Sequence, residues 1–319
     1  MFMRPRLRFV PDGTRIRFMR GRFLGIAVSA VLSTLSVILF FYPGLNLGID
    51  FAGGIVMEVR TQGPADLARV REGLAQQGLR AAGVQRFGAA DDVLIRLEAQ
   101  PTAQATQAVV NRVRAGLDQV QPGSRVLRTD AVGPSVSAEL YRNGMLALGI
   151  SLLMILVYIW FRFEWQFAVG AVATLLLDIT KTVGFLAVTR FEFDLVMVAA
   201  ILTVLGYSTN DKVVVYDRVR ENLRKFKSMP LRDLIDLSIN ETLNRTLGTS
   251  ATVFLAALPL ALFGGTTLSG FAWVMLFGIV VGTSSSIFIA APILLFLGEH
   301  RLRREAQAPA RPKPAKAAP

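Results

Sequence analysis

Residues 206–218 have the sequence GYSTNDKVVVYDR and directly follow the apolar run LVMVAAILTVL at 195–205. Such a run is typical of a membrane helix, because crossing a bilayer takes about 20 mostly apolar residues. Asn210, Asp211 and Lys212 nevertheless stand side by side before a helix of that length would end. A charge at bilayer depth costs about 2.5–3.5 kcal/mol on insertion scales, so it persists where it is paired or functional. The stretch therefore predicts a membrane helix that carries either a functional charge or a structural ion pair.

The composition places the whole chain among membrane proteins. Of its 319 residues, 52% are hydrophobic and only 18% are charged, and the mean hydropathy is +0.47. A water-soluble domain is rarely so apolar. Six segments are long enough to span a bilayer, and they cover roughly 22–42, 140–161, 166–189, 194–215, 244–264 and 268–297. The first is too long for a cleaved signal peptide and lacks a small-residue cleavage site, so we expect an uncleaved anchor.

The net charge of +12 is concentrated next to the predicted spans. Seven arginines lie within residues 1–22, six lysines or arginines lie within 217–241, and six more lie in the tail 298–319. This distribution is typical of cytoplasmic segments of membrane proteins. It predicts that the basic N-terminal segment 1–21 and a disordered tail are both cytoplasmic. Anionic lipids are the expected neighbours, and nucleic acid is not an expected partner.

The loop 217–242, between the fourth and fifth spans, has a second feature besides its charge. Leu231, Leu234, Ile235 and Ile239 form one apolar face at helical spacing. This pattern predicts an amphipathic helix that lies at the cytoplasmic interface and leads into the fifth span.

The segment 43–138 between the first two spans is long enough to fold as a domain, and the span count places it outside. The predicted strands are GIVMEVR (54–60), GVQRFG (83–88), DVLIRL (92–97) and SRVLRTDAV (124–132). Apolar residues at helical spacing predict helices over 64–78 and 102–119. The order β-α-β-β-α-β is that of the ferredoxin-like split motif. The predicted fold class is therefore a membrane α-helical protein of six transmembrane helices, numbers 2–6 within 139–297, with one small α+β ferredoxin-like periplasmic domain.

Several kinds of chemistry are excluded by residue counts. The chain has no cysteine, and its single histidine, His300, lies in the basic tail. Disulfides, thiol catalysis, a histidine-based catalytic triad and a His-rich metal site are therefore excluded. The sequence predicts a protein that is not an enzyme and that uses neither a metal nor another cofactor.

Four charged residues stand out within the predicted spans: Asp178, Lys181, Asp211 and Arg245. Lys181 follows Asp178 by three residues, a spacing that allows a local ion pair on one helix face. Spans four and five join on the cytoplasmic side, so Asp211 and Arg245 lie at the same depth and are expected to meet. An aspartate that exchanges a proton beside a permanently charged arginine is a two-state element. Asn210, Ser208 and Thr209 are candidate donors to its carboxylate. The alternative for both pairs is a fixed structural contact.

Four stretches together resemble the SecD/SecF family of bacterial protein-export membrane proteins, within the RND superfamily. They are GIDFAGG (48–54), VGPSVSAEL (132–140), AAILTVLGYSTNDKVVVYDRVREN (199–222) and ETLNRTLGTS (241–250). The resemblance covers nearly the whole chain. It implies an RND-type half in the inner membrane that pairs with SecD, joins the SecYEG channel and uses the proton-motive force to promote preprotein export. YajC, YidC and the unfolded preprotein are further implied partners.

The resemblance also implies roles for individual residues. Asp211 and Arg245 match the family's essential charged pair, and Asp178 matches a further polar position. Lys212 departs from the family pattern, in which a small polar residue is common at this place. A second cation beside Asp211 favours the charged form of its carboxylate. Lys212 is therefore expected either to tune Asp211 or to face lipid headgroups.

The glycine motif GIDFAGG leaves two interpretations open. In the first, Asp50 satisfies backbone donors in a turn, and Gly53 and Gly54 take backbone angles that other residues avoid. In the second, the motif, including Gly48 and Phe51, couples movement of the spans to the external domain.

The leading hypothesis is a proton-motive-force-driven auxiliary subunit of the Sec protein translocase. One alternative is a subunit of an RND-type small-molecule or lipid exporter, although the small external domain leaves little room for a binding pocket. Another is a purely structural assembly subunit in which every buried charge only holds helices together.

Overall fold

The computed structural model describes residues 10–11, 14–80, 82–86 and 88–297. The first nine residues and the tail 298–319 lie outside these ranges, so the disorder expected of the tail stays a prediction.

Within the described residues, helices account for most of the chain. They are α1 (Arg22–Phe41), α2 (Ile49–Ala52), α3 (Leu67–Gln76), α4 (Ala103–Val120), α5 (Pro134–Arg162), α6 (Trp165–Thr189), α7 (Leu195–Lys225), α8 (Leu231–Phe263), α9 (Gly265–Ser285) and α10 (Ala291–Phe296). The strands are β1 (Asn46–Leu47), β2 (Gly54–Arg60), β3 (Gly83–Arg86), β4 (Asp92–Leu97), β5 (Arg125–Val132) and β6 (Glu192–Phe193).

Six helices of the described part are long and apolar enough to cross a membrane, which confirms the predicted number of spans. Five of them are α1, α5, α6, α7 and α8. The sixth, Leu268–Phe296, runs through α9, a π-helical turn at Ser286–Ala290, and α10. The chain is therefore a multi-pass membrane protein. Large apolar side chains of α1 and α5 are exposed, as suits a lipid-facing surface, whereas α6, α7 and α9 supply most of the buried residues.

The connection between α7 and α8 is shorter than the predicted loop 217–242. α7 continues to Lys225, and α8 runs without interruption from Leu231 into the fifth span. The expected amphipathic helix is thus the first part of α8 and not a separate helix at the interface. The reason is that no proline interrupts α8 before Pro259, so the sequence contains nothing that breaks the helix at the membrane surface.

Residues 54–132 fold as a small α+β domain. Its four strands form an antiparallel sheet in the order β3-β4-β2-β5. Alternate residues of β2, such as Ile55, Met57 and Val59, are buried in one core with residues of α3 and α4, among them Val113. The elements and their order are those predicted from the periodicity of the sequence.

The glycine motif joins α1 to this domain and touches the membrane helices. The Gly48 N–H donates to the Phe193 carbonyl (2.9 Å), and β1 pairs in parallel with β6. The buried Phe51 ring packs edge-on against Tyr141 of α5 and lies beside Phe193. The motif therefore fastens the base of the domain to the loop between α6 and α7.

Two further features fix the domain on this base. Gly53 and Gly54 have positive φ values of 70° and 128°, and a Cβ atom at Gly54 would lie 2.7 Å from the Leu97 carbonyl oxygen. Only glycine satisfies both conditions at this position. Arg96 of β4 forms an ion pair with Glu192 of β6, which ties the sheet to the same loop.

Candidate functional site in the membrane helices

The site lies where α6, α7 and α9 pack closely. Gly278 of α9 lies against Val204 of α7, and Gly282 lies against Ser208 one turn further on. A Cβ atom at Gly282 would be 3.0 Å from the Ser208 Cβ, so glycine permits this close approach. The small residues of α9 therefore hold the polar side chains of α7 and α9 within reach of one another.

Asp178 is at the centre of the site. It lies midway along α6 and is 1% exposed. Its Oδ2 atom accepts hydrogen bonds from Lys212 Nζ (2.9 Å), Ser208 Oγ (2.8 Å) and Ser285 Oγ (2.8 Å). Lys212 is also only 1% exposed, so it does not face headgroups, and its direct partner is Asp178 and not Asp211.

Lys181 is the second cation beside Asp178. Its Nζ lies 3.8 Å from Asp178 Oδ1, so the local ion pair allowed by the spacing is present but is too long for a hydrogen bond. Oδ1 is buried without a hydrogen-bond partner among the described residues. The cluster of one carboxylate and two ammonium groups carries a net positive charge when both lysines are protonated.

Asp211 has a different environment, although it is adjacent to Lys212 in the chain. Its Oδ2 accepts one hydrogen bond, from Thr283 Oγ1 of α9 at 3.2 Å. Thr283 shares a hydrogen bond of 2.8 Å with Ser250 of α8, and the Tyr207 hydroxyl donates to Ser250 at 2.7 Å. These groups form a polar chain that links α7, α8 and α9. Ionisable groups at such depth are typical of ion and proton pathways.

The structure does not bring Asp211 and Arg245 together. Asp211 is buried, Arg245 is exposed, and no ion pair joins them within the part of the chain that the structure describes. The expected contact is therefore wrong for the isolated chain. The reason is rotation about the helix axis: Thr242 and Thr246 of α8 are buried in the bundle, which turns Arg245 outward. Asn210 is likewise exposed on α7.

Two more carboxylates lie at the N-terminal end of α7. Asp50 of the glycine motif accepts a hydrogen bond from the Leu195 N–H (3.2 Å), and Asp194 caps α7 by accepting from the Met197 N–H (2.9 Å). Asp50 thus satisfies a backbone donor, as one interpretation of the motif expected, but the donor belongs to a membrane helix. Burial raises the pKa of Asp194; the bond from Met197 opposes this rise, and the charges of Asp50 and Glu192 add to it.

Sequence reasoning missed the inter-helix pairing of Asp178 with Lys212. Ser208, which was a candidate donor to Asp211, donates to Asp178 instead. One signal was available: Ser208 and Lys212 are four residues apart, so they share a helix face, while Asp211 is turned away by about 100°. Ser285 and Thr283 lie in the run GTSSS (282–286), and small residues in a membrane helix are typical of helix packing, so the sequence did not mark them as part of a charged site.

These observations define a class of protein: a six-span membrane protein with one small inserted domain and a buried charge cluster between its helices. The family profile described as "Protein export membrane protein SecD/SecF, C-terminal" matches residues 112–300, and the "SecD/SecF GG Motif" profile matches residues 38–65.

Individual relatives agree with these matches. The chain is 42% identical to the protein translocase subunit SecF of Cereibacter sphaeroides, covering 93% of this chain and 94% of that one. It is 45% identical to the protein translocase subunit SecDF of Brucella abortus, covering 92% of this chain but 38% of the longer protein. The chain belongs to the SecD/SecF family of protein export membrane proteins.

A solved structure shows the same likeness in three dimensions. The crystal structure of SecDF from Thermus thermophilus superposes with a TM-score of 0.82 at 32% sequence identity. The match covers 92% of this chain and 40% of the SecDF chain, so this chain corresponds in length to less than half of that protein.

Proposed function

We propose that this chain acts as the SecF-type auxiliary subunit of a Sec protein translocase, and that its membrane charges couple the proton-motive force to preprotein export. Membership of the SecD/SecF family supports the export role. One observation carries the coupling role: Asp178 and Lys212 pair at 1% exposure between membrane helices, and Asp211 directly precedes Lys212 on α7. Apolar residues of similar volume often hold helices together as well or better, so charges kept at this depth favour a functional role.

The exposed polar residues of α7 and α8 support a protein partner in the membrane. Asn210 and Arg245 are exposed in the isolated chain, and no described residue of another helix comes within 4 Å of the position of a Cβ at Gly206 of α7. A guanidinium group facing lipid at bilayer depth is costly. We assign this face to SecD, whose association would supply the surroundings in which Asp211 and Arg245 act together.

The remaining partners follow from the family and from charge. The proposed location is the bacterial inner membrane, with both termini cytoplasmic and the α+β domain periplasmic, where it would act on the unfolded preprotein. SecYEG is the proposed channel partner, and YajC and YidC are proposed associates. The basic residues between Arg218 and Lys227 suit anionic lipid headgroups. The proposed role involves no covalent chemistry.

The decisive experiment replaces Asp211 with Asn in the complex with SecD and SecYEG. Export stimulated by the proton-motive force should be lost while the complex assembles normally, because the variant removes only the proton-binding group. Arg245→Met should give the same result. The matched control is Asp217→Asn, which makes the same chemical change six residues further along α7 at a half-exposed pair with Arg162. That variant should export normally.

Three outcomes are informative. Normal stimulation by Asp211→Asn contradicts ion coupling at this residue. Failure of the variant to assemble favours the structural-subunit alternative. An unimpaired export reaction together with loss of transport of a small molecule or lipid favours the exporter alternative.

A further inference from the structure

The Lys212 ammonium group is enclosed by oxygen atoms from three helices. Its Nζ lies 2.9 Å from Asp178 Oδ2, 3.3 Å from Ser285 Oγ and 3.4 Å from the Ser208 carbonyl oxygen, and it also donates to Ser208 Oγ. We call these four oxygen atoms the oxygen cage. The three residues that form it, Asp178, Ser208 and Ser285, are each at most 1% exposed.

The chemistry of the oxygen cage is that of an alkali-cation site. One carboxylate, one carbonyl and two hydroxyl oxygens are hard ligands, the kind that hard metal cations select. A single carboxylate matches a single positive charge. The ammonium group of Lys212 has this charge and occupies the position that a free Na⁺ or K⁺ ion would need.

A second cation, Lys181, also opposes the entry of a metal cation into the oxygen cage. Lys181 Nζ lies 3.8 Å from the other carboxylate oxygen of Asp178, outside the oxygen cage. With both lysines protonated, the cluster is already positive, so a mobile cation that approached it would be repelled at short range and in a medium that screens charge poorly.

We propose that Lys212 is a specificity-determining residue: its tethered ammonium group fills the oxygen cage, excludes Na⁺ and K⁺ from it, and so leaves the proton as the coupling ion. This inference rests on the proposed coupling function, because only a coupled protein needs to choose its ion. The cage itself is testable without any transport measurement.

The experiment compares thermal unfolding of the purified full-length chain in NaCl, KCl and choline chloride at equal ionic strength. The wild-type protein should unfold at the same temperature in all three salts. Lys212→Ser should be less stable in choline chloride, because it leaves the Asp178 carboxylate buried without its main partner. NaCl or KCl should raise its unfolding temperature saturably, by about 3–5 °C at concentrations well above the dissociation constant.

Two control variants isolate the cage. Lys181→Met removes the other cation of the same carboxylate but leaves the cage filled, so it should show no difference among the salts. The double variant Asp178→Asn/Lys212→Ser lacks the carboxylate, so it should fold without showing the alkali-cation response. It also shows whether any instability of Lys212→Ser comes from the unpaired Asp178.

Clear results would overturn the proposal. A wild-type protein that responds to Na⁺ or K⁺ as strongly as Lys212→Ser would show that Lys212 excludes neither ion. Lys212→Ser that behaves alike in all salts, or that fails to fold in every one of them, would show that the emptied cage binds no alkali cation. A positive result combined with normal export by Asp211→Asn would retain the cage and reject the coupling role of Asp211.

Discussion

Asp178 and Asp211 are both buried in the membrane helices, yet the chain satisfies them very differently. Asp178 has two lysines and two serine hydroxyls around it, all supplied by α6, α7 and α9. Within the part of the chain that the structure describes, Asp211 accepts a single hydrogen bond, from Thr283. The arginine expected to pair with Asp211 is exposed on α8.

This difference separates two tasks that a buried carboxylate can perform. The Asp178 carboxylate has its cation partners within one chain, so removing the carboxylate would leave two buried ammonium groups without a counter-charge. In the proposed assembly, a partner that covers α7 and α8 completes the surroundings of Asp211. A carboxylate with few fixed partners gains or loses a proton with little cost to the fold, which suits a coupling role.

The largest expected effect comes from Asp178→Asn. Two buried ammonium groups then lose their counter-charge, which should lower the free energy of unfolding by about 3–5 kcal/mol. Asp211→Asn makes the same chemical change but removes only one hydrogen bond, so it should alter that free energy by no more than about 1 kcal/mol. Unfolding of both variants in detergent, followed by near-UV circular dichroism, measures the contrast. Equal losses of stability would remove the distinction between the two sites.

A finer comparison deletes one hydroxyl group from each site. Ser208→Ala removes a donor to Asp178 and a ligand of Lys212 in the buried cluster, so it should cost about 1–3 kcal/mol. Thr283→Val removes the one donor to Asp211 among the described residues while keeping the side-chain shape, and it should cost about 0.5–1.5 kcal/mol. The same unfolding measurement shows which of the two variants loses more stability. A larger loss for Thr283→Val would mean that the Asp211 site is the better satisfied one.

Much of the fold follows from sequence patterns that depend on neighbouring residues. Apolar runs predict the six spans, and periods of 2 and 3.6 predict the β-α-β-β-α-β order between Gly54 and Val132. The lengths of α7 and α8 were harder to predict. Charged residues such as Arg218 and Arg220 are typical of a loop at a membrane surface, yet here they continue the helix. Hydropathy reports where a helix leaves the membrane and not where the helix ends.

The candidate site was predictable in its residues but not in its pairing. Asp178, Lys181 and Asp211 stand out because each interrupts an apolar run. The expected pair of Asp211 and Arg245 relied on equal depth, and depth does not fix the rotation of a helix about its axis. That rotation is set by close packing, such as Gly282 against Ser208, between residues far apart in the chain.

A third carboxylate, that of Asp194, tests whether burial or pairing has the larger influence on what a carboxylate contributes to stability. Its expected effect is the smallest of the three. Asp194 is partly buried and has backbone donors but no cation partner among the described residues, and its pKa is raised. A raised pKa means that folding disfavours the charged form, so this carboxylate costs stability above its folded pKa and ceases to do so as pH falls towards its ordinary value.

Asp194→Asn keeps a side-chain cap without the charge. It should therefore raise the free energy of unfolding at pH 7 by less than about 1 kcal/mol, which is seen as a higher unfolding temperature. This gain should shrink as pH is lowered. Asp66→Asn, at the exposed cap of α3, should give no gain at pH 7. A gain for Asp194→Asn that persisted unchanged to pH 4 would show that the charge of Asp194 is not its cause, and that backbone donors alone satisfy a buried carboxylate here.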